Sequence, residues 1–538
     1  MFQKKPWGDE DVTLLEKGKR GIFRIVFSWT TLMILILLAE FATVFLALEF
    51  LSRYIPYLFG GIYLFTGGVV VHILNSDDDP TIKLSWIIVV LLLPGFGSLF
   101  YWFVTKEVGH RRVNGALEEI DRQTEQYVKK EPELMEQLKQ EDRPLYNMAT
   151  YLLGHGGYPV CGNTKVTYLS LGEEKFELLL EKLEEAKSFI FLEYFILDEG
   201  YMWGRILNIL EKKVKEGVEV RVMYDGMCAV TLLPYSYPEK LKKLGIKSKM
   251  FAPIQPFVST HYNNRDHRKI LVIDGTIAFT GGINLADEYI NRRQVYGHWK
   301  DTAVMLEGDA ARSFTLMFLR MWNGDRNISR YRVPGQKPPE DDYEYYLNVE
   351  QKQWGTKGYV IPYGDRPYDG EQAAEMVYLD IINQAQEYVH IMSPYLILDN
   401  EMLTALMYAA KRGVDVEIIL PHIPDKKYAF ALAKTHYREL IGAGVKIFEY
   451  TPGFVHAKVF VADDCRGVVG TINLDYRSLY LHYECAAYLH RVPQLADIET
   501  DFQKTRELSH MVTEEDIRKE KLITRFAGRV LKLIAPLM

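Results

Sequence analysis

The stretch His267-Arg268-Lys269-Ile270-Leu271-Val272-Ile273-Asp274, followed after six residues by Gly281-Gly282-Ile283-Asn284, returns as His456-Ala457-Lys458-Val459-Phe460-Val461-Ala462-Asp463 and Gly470-Thr471-Ile472-Asn473. Both copies read HxKxxxxD, then GxxN at the same offset. An apolar, β-branched run closed by a turn residue predicts a buried strand. Side chains alternate along a strand, so the histidine and lysine, two apart, share a face while the intervening apolar residues turn into core. An imidazole beside an ammonium suits phosphoryl chemistry. The ring attacks phosphorus or moves a proton, the ammonium holds a phosphate oxygen, and the Gly-led turn and asparagine add donors. One such match is weak; two at equivalent places in an internal repeat are not an accident of composition.

The repeat extends upstream. Ser188–Asp198 (SFIFLEYFILD) and Val389–Asp399 (VHIMSPYLILD) each read as a buried strand leaving into a loop. Each is followed by an amphipathic helix, a Gly-led strand (Gly217–Tyr224, Gly413–Leu420) and a further helix and strand turning at Gly245 and Gly444. This βαβαβ succession, made twice, predicts an α/β fold of two lobes with mixed sheets flanked by helices, related as a pseudo-twofold pair. The expected division is a basic tail 1–24, a membrane region 25–105, a helical connector 106–145, a first lobe 146–330, a linker 331–350 containing the Pro-rich, acidic Val333–Tyr345, a second lobe 351–505 and a basic amphipathic tail 506–538.

The chain has 538 residues, a formal charge of −7, 48% hydrophobic and 25% charged residues, and a mean hydropathy of −0.11. These averages exclude a disordered or disulfide-scaffold chain, and nothing is basic enough overall for a bulk nucleic-acid binder. Four dispersed cysteines, Cys161, Cys228, Cys465 and Cys485, form no CxxC pair. The averages conceal three apolar runs, Ile25–Leu48, Tyr54–Leu74 and Leu84–Val104, of 24, 21 and 21 residues, each long enough for a spanning helix. Aromatic residues cluster near their ends. Lys17, Lys19, Arg20 and Arg24 precede the first run, and Lys106, Arg111 and Arg112 follow the third. Both flanks thus favour the cytoplasm, which makes one run re-entrant or interfacial; the first, broken by Glu40, and the Gly-rich second are the candidates. A multi-pass protein of the cell membrane with its globular part on the cytoplasmic face is expected. The segment from Arg518 to Met538 carries six Lys or Arg against Glu520, with Leu522, Phe526, Leu533 and Leu537 near helical spacing. It reads as a basic amphipathic helix on anionic lipid, the alternative being a helix packed on the lobes.

The paired motifs resemble the HKD motifs of the phospholipase D superfamily over about residues 146–500. The preceding segment, with Asp79–Trp86 and Leu91–Gly97, is similar to the N-terminal region of bacterial cardiolipin synthases. The resemblance implies that two phosphatidylglycerol molecules become cardiolipin and glycerol through a phosphohistidine, without cofactor or metal. Hydrolysis or another phosphatidyl transfer by the same site is the alternative, and a non-catalytic membrane scaffold fits two intact motifs poorly. It further implies that His267, Lys269, Asp274, His456, Lys458 and Asp463 form the catalytic set, Asp274 and Asp463 completing the motifs through structural hydrogen bonds or ion pairs, with Asn284 and Asn473 on the substrate phosphate. By resemblance His267 is the nucleophile and His456 the acid and base; the near-symmetric sequence alone does not decide. The partners are phosphatidylglycerol and anionic membrane lipid, not nucleic acid. No cluster with metal-ligand spacing is evident. A nucleophilic histidine needs its second ring nitrogen held. Asp301 and Glu484, each placed before an apolar strand 34 and 28 residues after the motif histidines, are expected to orient His267 and His456 respectively. Glu193 and Ser393, at matching strand ends, are candidate cleft residues. His261 and His298 are read as surface or supporting groups.

Overall fold

The computed structural model describes residues 3–7, 10–14, 38–43, 45–46, 55–105, 108–253, 264–328, 343–367 and 369–537. Most of the first apolar run, more than half of the basic N-terminal tail and most of the Pro-rich linker lie outside the described residues, as does His261. A short hairpin, β1 (Gln3–Trp7) and β2 (Glu10–Leu14), comes first.

The second apolar run is the helix Ile55–Leu74. The third is not one helix. It divides into Pro80–Leu92 and Phe96–Thr105. Pro94 lacks an N–H and disfavours helical backbone at Leu93, and Gly95 takes a φ of +79°. The two halves fold back on each other, with Gly97 so close to the Val89 carbonyl that a Cβ would come within 2.6 Å. Trp86 meets Tyr101 edge to face at 5.3 Å. Thr66 accepts from Gly95 N at 3.1 Å, tying the break to the preceding helix. Among the described residues no helix is long and apolar enough to cross a membrane.

The connector is less solvated than its charge suggests. Leu117 and Ile120, on the helix Val108–Thr124, are buried, and Asp121 pairs with Arg320 and Arg366. Helices Pro132–Glu141 and Arg143–Gly156 then lead into the first sheet.

The first sheet contains β3 (Thr164–Leu169), β4 (Phe189–Tyr194), β5 (Glu219–Asp225), β6 (Lys247–Phe251), β7 (Lys269–Ile273), β8 (Ile277–Gly281) and β10 (Ala303–Gly308). Its order is β3-β10-β8-β7-β4-β5-β6. The short β9 (His298–Lys300) lies outside it. The second sheet contains β11 (Tyr359–Asp365), β12 (Tyr388–Met392), β13 (Asp415–Pro421), β14 (Lys446–Tyr450), β16 (Val459–Ala462), β17 (Arg466–Gly470), β18 (Glu484–His490) and β19 (Ser509–Met511). Its order is β11-β18-β17-β16-β12-β13-β14-β19. Strand for strand the two orders correspond, with β19 added at one edge. In each, three parallel strands carry the βαβαβ unit, and the motif hairpin and its neighbours are antiparallel.

The motif strands are buried on both faces. On β7, Ile270 and Val272 join a core shared by the lobes, where they meet Val459 and Val461 of β16. Leu271 and Ile273 face the first lobe's helices, and Phe460 and Ala462 those of the second. Each sheet is thus packed between its helices and the other sheet, which explains why these strands read as nearly continuous apolar runs. The second sheet also extends through β19, beyond the expected lobe boundary at residue 505.

Candidate active site

The lobes exchange strands where the motifs begin. β15 (Gly453–Val455), just before His456, pairs in parallel with β9 of the other lobe, Val455 opposite Lys300. His456 N donates to Lys300 O at 2.7 Å. Symmetrically, Asp266 bridges to Tyr483, and His267 N donates to Tyr483 O at 2.9 Å. Lys300, buried, adds an ion pair to Asp501 of the second lobe at 2.7 Å. Each motif histidine is therefore one residue from a backbone contact whose next residue, in the opposite lobe, is a carboxylate.

This corrects the expected pairing. His267 Nδ1 lies 2.8 and 3.0 Å from the Glu484 oxygens, and His456 Nδ1 lies 2.7 Å from Asp301 Oδ2. The two orienting carboxylates are exchanged between lobes, because register across the interface, not sequence offset, places them. Both carboxylates are fully buried. Thr471 donates its hydroxyl to Glu484. Its counterpart Gly282 has no side chain, and a Cβ there would sit 2.1 Å from Asp301 Oδ1. The smaller Asp301 thus occupies the volume that the missing side chain leaves.

A carboxylate accepting from Nδ1–H leaves the Nε2 lone pair of each ring for chemistry. Burial, reinforced by Lys269 and then by His482, Lys458 and His456, holds His267 well below the ordinary imidazole range. Burial and Lys458 push His456 down to about 4, against the opposing pull of Asp301. Burial lowers Lys269 to about 8 and Lys458 to about 7, and raises the Glu484 carboxyl well above its usual range. Each lysine donates once to the carbonyl of its own motif histidine, Lys269 at 2.6 Å. An ammonium has three donors, so two remain for a phosphate.

The motif aspartates stand elsewhere. Asp274, at the far end of β7 with φ +52°, accepts from the backbone N–H groups of Lys187, Ser188 and Phe189 at 2.7–2.9 Å. Asp463, φ +51°, does the same for Gln386, Glu387 and Tyr388 at 2.8–2.9 Å. They pin the start of the neighbouring strand through these structural hydrogen bonds and reach no motif histidine, so within the catalytic set they touch neither imidazole. Asp463→Ala is expected to lower stability by roughly 2–4 kcal/mol, the scale of losing several charge-assisted hydrogen bonds. Thermal unfolding measures this, and turnover per folded molecule should stay within about tenfold of the parent on the scale of ordinary structural changes.

The asparagines differ. Asn284 accepts from Ile196 N at 3.0 Å and donates to the Tyr289 hydroxyl at 2.7 Å, so much of its amide shapes the loop. The buried Asn473 keeps its carbonyl oxygen unpartnered among the described residues. Glu193 is not open to the cleft: fully buried, it pairs with Arg268 at 2.7 Å. Ser393 donates to Tyr395 O at 2.8 Å. His298 meets the Tyr450 hydroxyl at 3.0 Å.

A model described as "Cardiolipin synthase, PLD-like domain" matches residues 179–322 and 378–506, and one described as "Phospholipase_D-nuclease N-terminal" matches 64–104. A Geobacillus protein named cardiolipin synthase is 33% identical over 86% of this chain and 90% of its own length. The chain belongs to the cardiolipin synthase family. An uncharacterized Streptococcus mutans protein is 52% identical over 88% of this chain and all of its own. The crystal structure of a Haemophilus influenzae phosphatidylserine synthase superposes with a TM-score of 0.55 at 16% identity, covering 73% of this chain and 97% of that one. That likeness supports the two-lobed fold. This cardiolipin synthase family member is a phosphatidyltransferase.

Several residues around the family's motifs escaped the sequence reading. Phe195 stands 5.0 Å from His267, while Tyr289 and Trp299 stand 5.5 and 5.3 Å from His456, ring centre to ring centre. They form the apolar wall that depresses both imidazoles. Phe195 could have been found as the residue that follows the strand Phe189–Tyr194 in the repeated unit. The buried Lys175 donates to Ile283 O at 3.0 Å and holds the GxxN turn. His482, two residues before Glu484, lies 5.5 Å from His267. His267, His482 and Glu484 bring three ligand-type atoms within 4.8 Å of one another, as do His390, Asp415 and Glu417. The sequence spacing hid both groups. In the first, the carboxylate already holds His267 and Thr471. In the second, Lys446 and Arg506 neutralise Glu417.

Proposed function

We propose that the chain transfers a phosphatidyl group between two phosphatidylglycerol molecules, giving cardiolipin and glycerol, at the site shared by the lobes. The observation that carries the reading is the reciprocal bracing of His267 by Glu484 and of His456 by Asp301. It provides two imidazoles with available Nε2 atoms, one for each half of a double displacement. His267 Nε2 attacks phosphorus and the bond to the first glycerol oxygen breaks, while His456 delivers a proton to that oxygen. His456, now neutral, takes the proton of a hydroxyl on the second lipid; its oxygen attacks phosphorus and the P–N bond breaks. Lys269 and Lys458 hold the phosphoryl oxygens, with Asn473 and the remaining Asn284 donor beside them. The phosphodiester charge raises the proton affinity of His456, which burial and Lys458 depress. Residues 146–330 and 351–511 serve as the lobes, and the apolar region 25–105 holds the protein in the cell membrane, passing it more than once, with the lobes on the cytoplasmic face.

The test is to incubate the purified protein with phosphatidylglycerol in mixed micelles. Cardiolipin and glycerol in equal amounts are expected. Phosphatidic acid in their place would make the protein a hydrolase. The pH profile of kcat/KM follows from the charges. The nucleophile His267, held below its usual value, stays neutral until the pH falls past that lowered value, so the acid limb lies below pH 6.5; His456, the proton donor of the first step, contributes instead to the loss at rising pH. A lysine with a lowered pKa loses its charge as pH rises through about 7 to 8, so phosphate binding and kcat/KM should fall there. A plateau extending to pH 10 would contradict the phosphate-holding role of these lysines.

A further inference from the structure

The C-terminal segment is divided by its packing. Glu514–Lys519 forms one helix, capped by Thr513. Leu522–Lys532 forms a second, which lies along the helix Lys427–Ala443 with Gly528 at the contact. A Cβ on Gly528 would come within 2.4 Å of the Ala431 carbonyl, so the approach is as close as backbone allows. The opposite face carries Leu522, Ile523, Phe526, Val530, Leu533 and Ile534, of which the first three are 80, 75 and 70% exposed. Their spacing makes one continuous apolar stripe on a helix. Arg525, Arg529 and Lys532 edge that stripe, and none has an ion-pair partner among the described residues. They also line a groove of about 650 Å³ shared with Lys434 and Arg438.

The stripe is joined to the apolar hairpin. After Lys532 the chain turns so that Leu537 packs against Val69, Trp86 and Tyr101 of the N-terminal helices. Ala535 packs with Leu432 and Tyr476. Tyr476 follows Asn473 by three residues and lies within hydrogen-bonding reach of Thr81, beside the helix cap Asp79. The hairpin presents its own exposed apolar residues, among them Leu91, Leu92, Leu99 and Trp102. Lys426, at the head of the helix Lys427–Ala443, acts electrostatically on His482 and Asp475 at the cleft.

We propose that the helix Leu522–Lys532 is an in-plane anchor on a leaflet of anionic phospholipid, fixing the second motif's end of the cleft at the lipid surface. The apolar stripe enters the headgroup boundary while Arg525, Arg529 and Lys532 meet lipid phosphates, a combination that neither a water-facing helix nor a protein-covered one requires. Continuity with the hairpin through Leu537 and Tyr476 places both apolar surfaces on one body. The inference rests on the lipid-substrate reading only for its consequence, since insertion itself is measurable without turnover.

The experiment uses the full chain in nanodiscs, with an environment-sensitive fluorophore on Phe526→Cys and, as control, on Glu515→Cys. Discs of phosphatidylcholine are compared with discs containing phosphatidylserine, each with a spin-labelled quenching lipid. The probe at 526 should be quenched by lipid at least twofold more in phosphatidylserine discs and be shielded from aqueous acrylamide. The probe at 515 should remain aqueous. Arg525→Gln, Arg529→Gln and Lys532→Gln together should remove the dependence on phosphatidylserine. Equal acrylamide access at 526 and 515, or a triple variant that inserts as the parent does, overturns the proposal. Absence of cardiolipin synthesis, by contrast, would overturn the proposed function and leave these readings standing.

Discussion

Glu484→Gln is expected to slow formation of the phosphohistidine by about 10³- to 10⁴-fold, the scale seen when a histidine loses the carboxylate that fixes its tautomer. The amide of glutamine can donate to Nδ1, which puts the proton on Nε2 and removes the nucleophilic lone pair from the cleft. Glu484 belongs to the second lobe, and His267 to the first. The experiment is single-turnover kinetics with a phosphatidyl p-nitrophenyl ester, whose leaving group needs no proton and so reports attack alone. Glu484→Gln should suppress the nitrophenolate burst. Asp301→Asn should leave it within a few-fold of the parent and slow only the transfer to the second lipid, by roughly 10²- to 10⁴-fold, the usual scale of general acid–base assistance. A burst lost with Asp301→Asn and kept with Glu484→Gln, together with a burst abolished by His267→Ala and kept by His456→Ala, would restore the pairing within lobes and refute the cross-lobe geometry. Buried carboxylates also support the fold, so each variant's thermal unfolding should accompany its kinetics.

The second large effect separates the two histidines. With the same ester, His456→Ala should release about one equivalent of nitrophenolate per site and then stop, leaving a phosphohistidine at His267, because the second step lacks a base for the incoming hydroxyl. His267→Ala should give no burst. With phosphatidylglycerol itself both variants should be nearly inactive, since the glycerol oxygen leaves only with a proton. The near-symmetric cleft makes this a strict test: a burst from His267→Ala and none from His456→Ala would exchange the two roles. The surroundings already differ, since Glu484 is held by Thr471 where Asp301 faces Gly282, and Phe195 stands by His267 where Tyr289 and Trp299 stand by His456.

The motifs, the duplication and the α/β class were legible in sequence because each is a short-range pattern. Two-residue spacing places His267 with Lys269 on one side of a strand, and repeated Gly-led strands mark each βαβαβ unit. The two sheets then reproduce one strand order from two copies of that pattern. The division of the third apolar run was also written locally, in Pro94 and Gly95, but a hydropathy reading averages over them; the helices Pro80–Leu92 and Phe96–Thr105 show where the backbone could not continue. A structural role for Asp274 and Asp463 was legible, but their backbone partners on the neighbouring strand were not, because the motif joins by spacing residues that lie at opposite ends of one strand.

What the amino-acid sequence determined by itself was the inventory of the site: two histidines, two lysines, two asparagines and two carboxylates, on strands of known alternation. What only the tertiary structure decided was their partnership. Offsets of 28 and 34 residues made each carboxylate look like the companion of the histidine in its own lobe. The physical reason it is not lies in the interface, where β15 pairs with β9 and Asp266 bridges to Tyr483. These contacts join residues 155 and 217 positions apart. Register between two folded sheets leaves no periodic trace along the chain, so the exchange of Asp301 and Glu484 could be seen only once both lobes had closed on one cleft.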